Sequence, residues 1–124
     1  MYTVDFYKNI SGKSEIRDFL EYLEAESAKD ENSRRLKKKY YAYLSELLKR
    51  GFSAGMPYIR HIDEKIWELR PLNLRILFFL WENRQLILLH HFFKSTRKTP
   101  KKEIDSAKVK MKDFLNRKGG SYGR

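Results

Sequence analysis

The chain has 124 residues, which is enough for one domain with a single core and too few for a second catalytic domain. Its 41% hydrophobic and 15% aromatic content excludes a wholly disordered chain, although 35% of the residues are charged. The 27 Lys and Arg residues exceed the 16 Asp and Glu residues, and the resulting net charge of +11 makes nucleic acid the first partner to consider.

The sequence also excludes several chemical classes and locations. Because it contains no cysteine, disulfides, thiolate metal clusters and cysteine nucleophiles are excluded. The first residues lack the basic start and apolar run of a secretory signal. The longest apolar run, from Ile76 to Trp81, is far shorter than the roughly 20 residues of a membrane span. We therefore expect a soluble cytoplasmic protein.

The positive charge is concentrated towards the C-terminal end. Residues 1–58 carry 11 basic and 9 acidic side chains, residues 59–93 carry 5 and 4, and residues 94–124 carry 11 and 3. The last segment therefore supplies +8 of the net +11, and we expect it to contribute to any surface that binds a polyanion. The segment from Glu15 to Glu31 is acidic, and we expect it to face away from that surface.

The N-terminal half predicts a strand followed by a helical hairpin. Residues 2–7 alternate and are rich in β-forming types, as in a strand. Ser14 can cap a first helix, and a second helix is predicted from Ser33 to Arg50, with Gly51 as its C-terminal stop. The apolar positions of the first helix follow the helical repeat: Ile16, Phe19, Leu20 and Leu23.

The C-terminal half predicts three strands and a last helix. After a loop with two turn-forming residues, residues 65–70 alternate and place Glu68 and Arg70 on one face. Residues 74–81 and 86–93 are almost continuously apolar, which indicates central strands covered on both faces. Thr99 and Pro100 are typical of an N-cap and a first helical turn.

Together these elements predict the α+β class. We expect a small antiparallel sheet in the order β-α-α-β-β-β-α, packed against the two N-terminal helices and carrying a C-terminal helix. We expect one domain over residues 1–117 and a flexible basic tail over residues 118–124.

Two familiar kinds of catalytic site do not fit the sequence. His90 and His91 are adjacent on a predicted strand and point to opposite faces, so they cannot chelate one ion together. We expect neither a metal site nor a cofactor. The sequence also lacks a Gly-x-Ser-x-Gly turn and a phosphate-binding glycine loop.

Basic side chains at the ends of the predicted strands are the remaining candidates. If residues 74–81 and 86–93 form a hairpin, Arg75 and Lys94 meet at one end of the sheet, and Arg70 lies across a short link from Arg75. The alternative is a basic edge that serves only solubility. Further cations follow along the chain: Arg97, Lys98, Lys101 and Lys102. The last two lie in the first turn of a helix, where the helix dipole disfavours cations.

Such a cluster suits metal-independent cleavage of RNA. The 2′-hydroxyl can attack the adjacent phosphorus, so the protein need only accept one proton, donate another and stabilise the charge of the phosphorane. Arginine is well suited to the last role. Glu68 is a candidate base, and a plain ion pair between Glu68 and Arg70 is the alternative.

Three segments in this order carry a family resemblance: WELR at 67–70, LRILFF at 74–79 and HFFKSTRKTPKKEI at 91–104, followed by Ala107. With the order of elements, they resemble the phage-derived type of the HigB branch of the RelE toxin superfamily. The resemblance covers nearly the whole chain and implies a RelE-like fold.

The resemblance implies a function. Such toxins are metal-independent endoribonucleases, or mRNA interferases, that cut messenger RNA in the ribosomal A site. A cognate antitoxin, here a HigA-like helix-turn-helix protein, holds them inactive. The alternative is a basic RNA- or ribosome-binding module that blocks translation without cleavage.

The resemblance also implies roles for individual residues. Arg75 matches the strand arginine that contacts the scissile phosphate, Arg70 is the basic residue before it, and Lys94 ends the last strand. We expect Glu68 to act as base and Lys94 or His91 as acid. The expected RNA contacts are Arg97, Lys98, Lys101, Lys102 and His91. Ile66 and Glu68 stand where the RelE pattern has lysines, and Lys101 and Lys102 stand where it has a tyrosine.

Overall fold

The computed structural model describes residues 1–121 of the protein, without the side chains of residues 119–121. The strands are β1 (Thr3–Phe6), β2 (Ile59–Asp63), β3 (Ile66–Leu69), β4 (Leu74–Leu80) and β5 (Gln85–Phe93). The helices are α1 (Glu15–Glu26), α2 (Glu31–Arg50) and α3 (Lys101–Ser121), with short 3₁₀ turns at Gly51–Ala54 and Glu82–Arg84. The predicted α+β class is confirmed.

Local capping chemistry sets the bounds of the helical hairpin. The hydroxyl of Ser14 accepts a hydrogen bond from the backbone N–H of Arg17, as predicted for the start of α1. The cap of α2 is Asp30, whose carboxylate accepts from the N–H of Ser33, so this helix begins two residues earlier than predicted. Gly51 ends α2 with a φ of +59°, and a Cβ there would overlap the ring of Tyr2.

The sheet has five strands in the order β1-β5-β4-β3-β2. All neighbouring pairs are antiparallel except β1 and β5, which are parallel, with Val4 opposite Leu86. Two details of the predicted topology therefore need correction: the sheet is mixed, and it contains the additional strand β2. The alternation of β2 is interrupted by a register shift between His61 and Asp63, which hides its strand pattern in the sequence.

The central strands are covered on both faces, as their apolar composition predicted. On one face, α1 and α2 pack over Ile76, Phe78 and Leu88. On the other face, α3 contributes Ala107 and Phe114 to a second apolar cluster. These buried layers hold the ends of β3, β4 and β5 in fixed positions, which is where the predicted site residues lie.

The last helix is longer than predicted. The carbonyl of Pro100 accepts from the N–H groups of Glu103 and Ile104, so α3 begins at Lys101 and continues to Ser121. It continues past Lys118, where the predicted tail begins, and Nζ of Lys118 lies 5.8 Å from the ring centroid of Trp81 and 5.6 Å from that of Phe114. Residues 122–124 lie outside the described residues. No described helix has a stretch long and apolar enough to span a bilayer.

Candidate functional site

A buried carboxylate organises the predicted basic site. Glu68 lies on β3 opposite Leu77, on the sheet face that α3 covers, and is 1% exposed. Its Oε1 faces three guanidinium groups, at 3.4 Å from Nε of Arg70, 3.7 Å from Nε of Arg75 and 3.8 Å from Nη2 of Arg60. We call Glu68 with these three arginines the arginine cluster. A single carboxylate thus lies among three positive charges, which leaves the arginine cluster with a net charge of +2.

The sheet register explains why these side chains meet. Arg60 on β2 is directly opposite Glu68, and cross-strand partners lie on the same face. Arg70 follows Glu68 by two positions and therefore lies on that face as well. Arg75 is the second residue of β4 and lies opposite the buried Phe92, which belongs to the α3 side. The cluster thus draws its members from three neighbouring strands.

Arg75 is held rigidly. Its side chain is 8% exposed, and Nη1 donates hydrogen bonds of 2.8 Å to the carbonyl of Leu72 and 2.9 Å to that of Leu74. Burial lowers the pKa of Arg75, while the charge of Glu68 opposes that shift. Two backbone acceptors and one carboxylate therefore fix the orientation of a guanidinium at the end of the sheet.

The start of α3 is tied to the same carboxylate. The hydroxyl of Thr99 donates a 2.7 Å hydrogen bond to Oε2 of Glu68. We predicted Thr99 as the helix cap, and the structure places its hydroxyl on the cluster instead. Both oxygens of Glu68 therefore face protein groups: Oε1 faces the guanidinium groups and Oε2 accepts from Thr99.

Lys94 adds a fourth cation beside Arg75. Its backbone N–H donates to the carbonyl of Asn73, which joins the end of β5 to the turn before β4. Desolvation, followed by the positive charges of Arg75, Arg70 and Arg60, lowers the pKa of Lys94. The four cations and Glu68 sum to +3 at this end of the sheet.

An open groove of about 440 Å³ lies next to the cluster, and we call it the Lys94 groove. Its lining residues are Leu72, Asn73, Arg75, Lys94, Ser95, Thr96 and Arg97. Among them are three cations and no carboxylate, so the groove is suited to an anion with several oxygens, such as a phosphodiester. Held there, a phosphate would meet the guanidinium of Arg75, which the carbonyls of Leu72 and Leu74 already orient.

The structure brings together Glu68, Arg70, Arg75 and Lys94, with Arg97 in the adjoining groove. Three other predicted RNA contacts follow the groove residues in the chain and are exposed: Lys98, Lys101 and Lys102. Lys101 forms an ion pair of 2.7 Å with Asp105.

His91 does not join this group. It lies opposite Ile76, on the face covered by α1 and α2, and its ring stacks on Phe19 with 4.3 Å between ring centroids. His90 points to the other face, with Nε2 at 2.7 Å from Oε1 of Glu103. The two rings thus occupy opposite faces, as the strand pattern predicted.

The position of His91 predicts a pH dependence of stability. Burial, together with the charges of His90 and Lys110, lowers the pKa of His91 below its ordinary 6.5. The folded protein therefore binds this proton more weakly than the unfolded chain. The free energy of unfolding should be highest above pH 6.5 and should fall as the pH drops from there through the lowered pKa.

Urea unfolding at about pH 7.5 and about pH 5.5 measures this effect. His91→Phe, which keeps a ring against Phe19, should lose less stability between the two values than the wild-type protein does. An equal loss in both proteins would show that other groups cause the acid sensitivity.

Sequence reasoning missed two members of the site. Arg60 lies on the unpredicted strand β2, and the register shift between His61 and Asp63 breaks the alternation that could have found it. Thr99 is 31 positions from Glu68 in the chain, and no local pattern links them.

The fold and the cluster define the class of protein: a small α+β domain of RelE-like fold with a net positive site at one end of its sheet. The chain belongs to the family described as Phage derived protein Gp49-like (DUF891), which matches residues 27–112. This is a RelE/HigB-like toxin-type family. The matched range includes α2, β2 to β5 and every member of the arginine cluster. No curated protein matches the chain.

Proposed function

We propose that this protein is the toxin of a type II toxin–antitoxin system, of the HigB branch, and that it is a metal-independent endoribonuclease acting on messenger RNA at the ribosome. The observation that carries the proposal is the excess of three positive charges around Arg75, at the edge of an open groove. Membership of a toxin-type family supports it.

In the proposed reaction, the 2′-hydroxyl gives its proton to solvent water, its oxygen attacks the adjacent phosphorus, and the bond between phosphorus and the 5′-oxygen breaks. The products are a 2′,3′-cyclic phosphate and a 5′-hydroxyl end. Arg75 and Arg70 stabilise the additional negative charge of the phosphorane, since their guanidinium groups are oriented before the substrate arrives. Lys94 donates the proton to the leaving oxygen, and its lowered pKa makes that donation easier.

We assign Glu68 a positioning role instead of the base. Its side chain is 1% exposed, and both its oxygens face protein groups. A general base must come within hydrogen-bond reach of the substrate proton, and this burial keeps Glu68 from it. His91 is unsuited as the acid because its ring lies on the opposite face of the sheet.

The burial of Glu68 also favours a second candidate function. If the one carboxylate of the cluster takes no part in proton transfer, the same cations can serve only as phosphate contacts. The protein would then bind RNA or the ribosome and block translation without cutting.

Primer extension on a reporter transcript after induction of the protein distinguishes the two candidates. Discrete new 5′ ends would support cleavage. Translation arrest with intact messenger RNA would support occlusion and would contradict the proposed nuclease.

The toxin-type family suggests a cognate antitoxin as the partner, and the HigA-like helix-turn-helix type of that antitoxin is part of this proposal. Co-expression of the product of a neighbouring reading frame should restore growth. Failure of every neighbouring frame to do so would contradict this part of the proposal.

Affinity for RNA should depend steeply on salt concentration. Each phosphate neutralised by a cation releases condensed counterions, so three to four contacts predict a slope of log K against log salt of about −2 to −3 for single-stranded RNA. Fluorescence anisotropy with a labelled oligonucleotide at several salt concentrations measures the slope. A flat response would contradict both candidate functions.

A further inference from the structure

A second groove lies on the other side of the turn between β3 and β4. It has a volume of about 630 Å³, which is within the usual range of ligand-binding sites. Its lining residues are Asn32, Ser33, Arg35, Leu36, Leu72, Asn73 and Phe93. We call it the Phe93 groove. It runs between the N-terminal half of α2 and the end of β5.

The Phe93 groove continues the Lys94 groove. Leu72 and Asn73 line both, so the turn that carries them forms a shared ridge. Arg75 lies on the sheet face covered by α3, and Phe93 lies on the other face, where its ring meets Phe19 edge-on at 5.7 Å between centroids. A polymeric ligand bound in both grooves would therefore cross the end of the sheet.

The groove combines an exposed ring with free positive charge. Phe93 is 48% exposed although it is a large apolar side chain, and its contact with Phe19 holds the ring in place. Arg35 and Lys38 are exposed on α2, and no carboxylate in the described part of the chain forms an ion pair with either. Glu31 is the one acidic residue that lines the adjoining surface.

These features match the chemistry of single-stranded RNA more closely than that of a protein. Proteins that bind unpaired RNA stack its bases on aromatic rings and contact its backbone with cations. The amides of Asn32 and Asn73 add donors and acceptors that can bond to the edge of a base. A duplex is excluded, because its stacked bases cannot reach a ring.

We propose that the Phe93 groove binds one nucleotide of single-stranded RNA next to the cleaved linkage, with its base stacked on Phe93 and its phosphate on Arg35. This inference rests on the proposed function, since it assigns the neighbouring phosphate to the Lys94 groove.

The position of the groove gives this subsite a mechanistic role. A strand that crosses the turn at Leu72 and Asn73 must bend, which separates neighbouring bases and opens the linkage between them. Fixing a nucleotide on each side of the bend holds the 2′-oxygen near the phosphorus in a reactive geometry. Phe93 and Arg35 are thus expected to position the substrate without touching the reacting atoms.

The test is the affinity of the purified protein for a fluorescein-labelled single-stranded RNA whose 2′-oxygens are methylated. Such RNA cannot be cleaved, so the assay measures binding alone. Phe93→Ala should weaken binding about 10- to 100-fold, as for loss of a stacked base, and Phe93→Trp should retain it. Arg35→Ala should weaken binding and reduce the salt slope by about 0.7.

Matched controls come from outside the groove. Tyr22→Ala removes an exposed aromatic ring on α1, and Arg84→Ala removes an exposed arginine between β4 and β5. Both should bind RNA like the wild-type protein. Thermal unfolding shows whether Phe93→Ala, which loses the contact with Phe19, has a less stable fold. Arg35→Ala tests the groove while that contact is kept.

The outcomes distinguish this inference from the proposed function. Full RNA affinity in Phe93→Ala and Arg35→Ala would overturn the subsite, whether or not the wild-type protein cleaves RNA. Weaker binding in both variants, with no cleavage by the wild-type protein, would support the subsite and contradict the nuclease. If both variants bind RNA normally but escape the antitoxin, the groove binds protein and the inference is wrong.

Discussion

Replacing Arg75 by alanine is expected to abolish growth arrest and to slow RNA cleavage by about 100- to 1,000-fold. Arg75 is the most firmly fixed cation of the site, held by the carbonyls of Leu72 and Leu74 and by Glu68. A donor that is already oriented stabilises the phosphorane without reorganisation. A water molecule in the place of Arg75 would stabilise the phosphorane less. The measurements are colony formation after induction and single-turnover cleavage of a reporter messenger RNA.

The burial of Arg75 calls for a second variant. Alanine leaves a gap and removes a partner of the buried Glu68, so Arg75→Ala should also unfold at lower urea concentration. Arg75→Lys keeps the charge but loses the planar, forked donor geometry, and should show an intermediate cleavage rate.

Arg84→Ala is the matched control, because Arg84 is exposed at the opposite end of β4 and β5. It should remain fully toxic. A folded, antitoxin-binding Arg75→Ala protein with wild-type toxicity would rule out the proposed site.

Elements defined by local chemistry were predictable from the sequence. The helices follow a 3.6-residue repeat with caps or stops at Ser14 and Gly51, and the central strands are continuous apolar runs. Elements that depend on distant partners were not. The parallel pairing of β1 with β5 joins segments about 80 residues apart, and periodicity carries no information on strand direction.

The residues of the site fall into the same two groups: those that a local pattern predicts and those that depend on distant partners. That Arg70 shares a face with Glu68 follows from the two-residue repeat of a strand, and the approach of Lys94 to Arg75 follows from the hairpin of β4 and β5. The positions of Arg60 and Thr99 depend on the register of β2 and on the docking of α3. Neither could be derived from spacing, and together they change the expected role of Glu68 from base to anchor.

Replacing Glu68 is therefore expected to destabilise the fold more than any other change in the cluster. Removing one partner of a buried ion pair leaves the other charge uncompensated, which typically costs about 3–5 kcal/mol. Here three guanidinium groups lose their shared carboxylate, and two of them carry buried Nε donors that have no hydrogen-bond acceptor in the described residues. Glu68→Gln keeps the size of the side chain and should unfold at a much lower urea concentration than the wild-type protein.

Thr99→Val provides the graded comparison, because it removes one hydrogen bond and leaves the charges unchanged. It should cost about 1.5–3 kcal/mol, because the lost hydrogen bond is to a carboxylate. If Glu68 only positions Arg70 and Arg75, the cleavage rate and the free energy of unfolding should decrease in parallel, slightly in Thr99→Val and strongly in Glu68→Gln. If Glu68→Gln unfolds like the wild-type protein but cleaves RNA far more slowly, Glu68 transfers a proton and the anchor assignment is wrong.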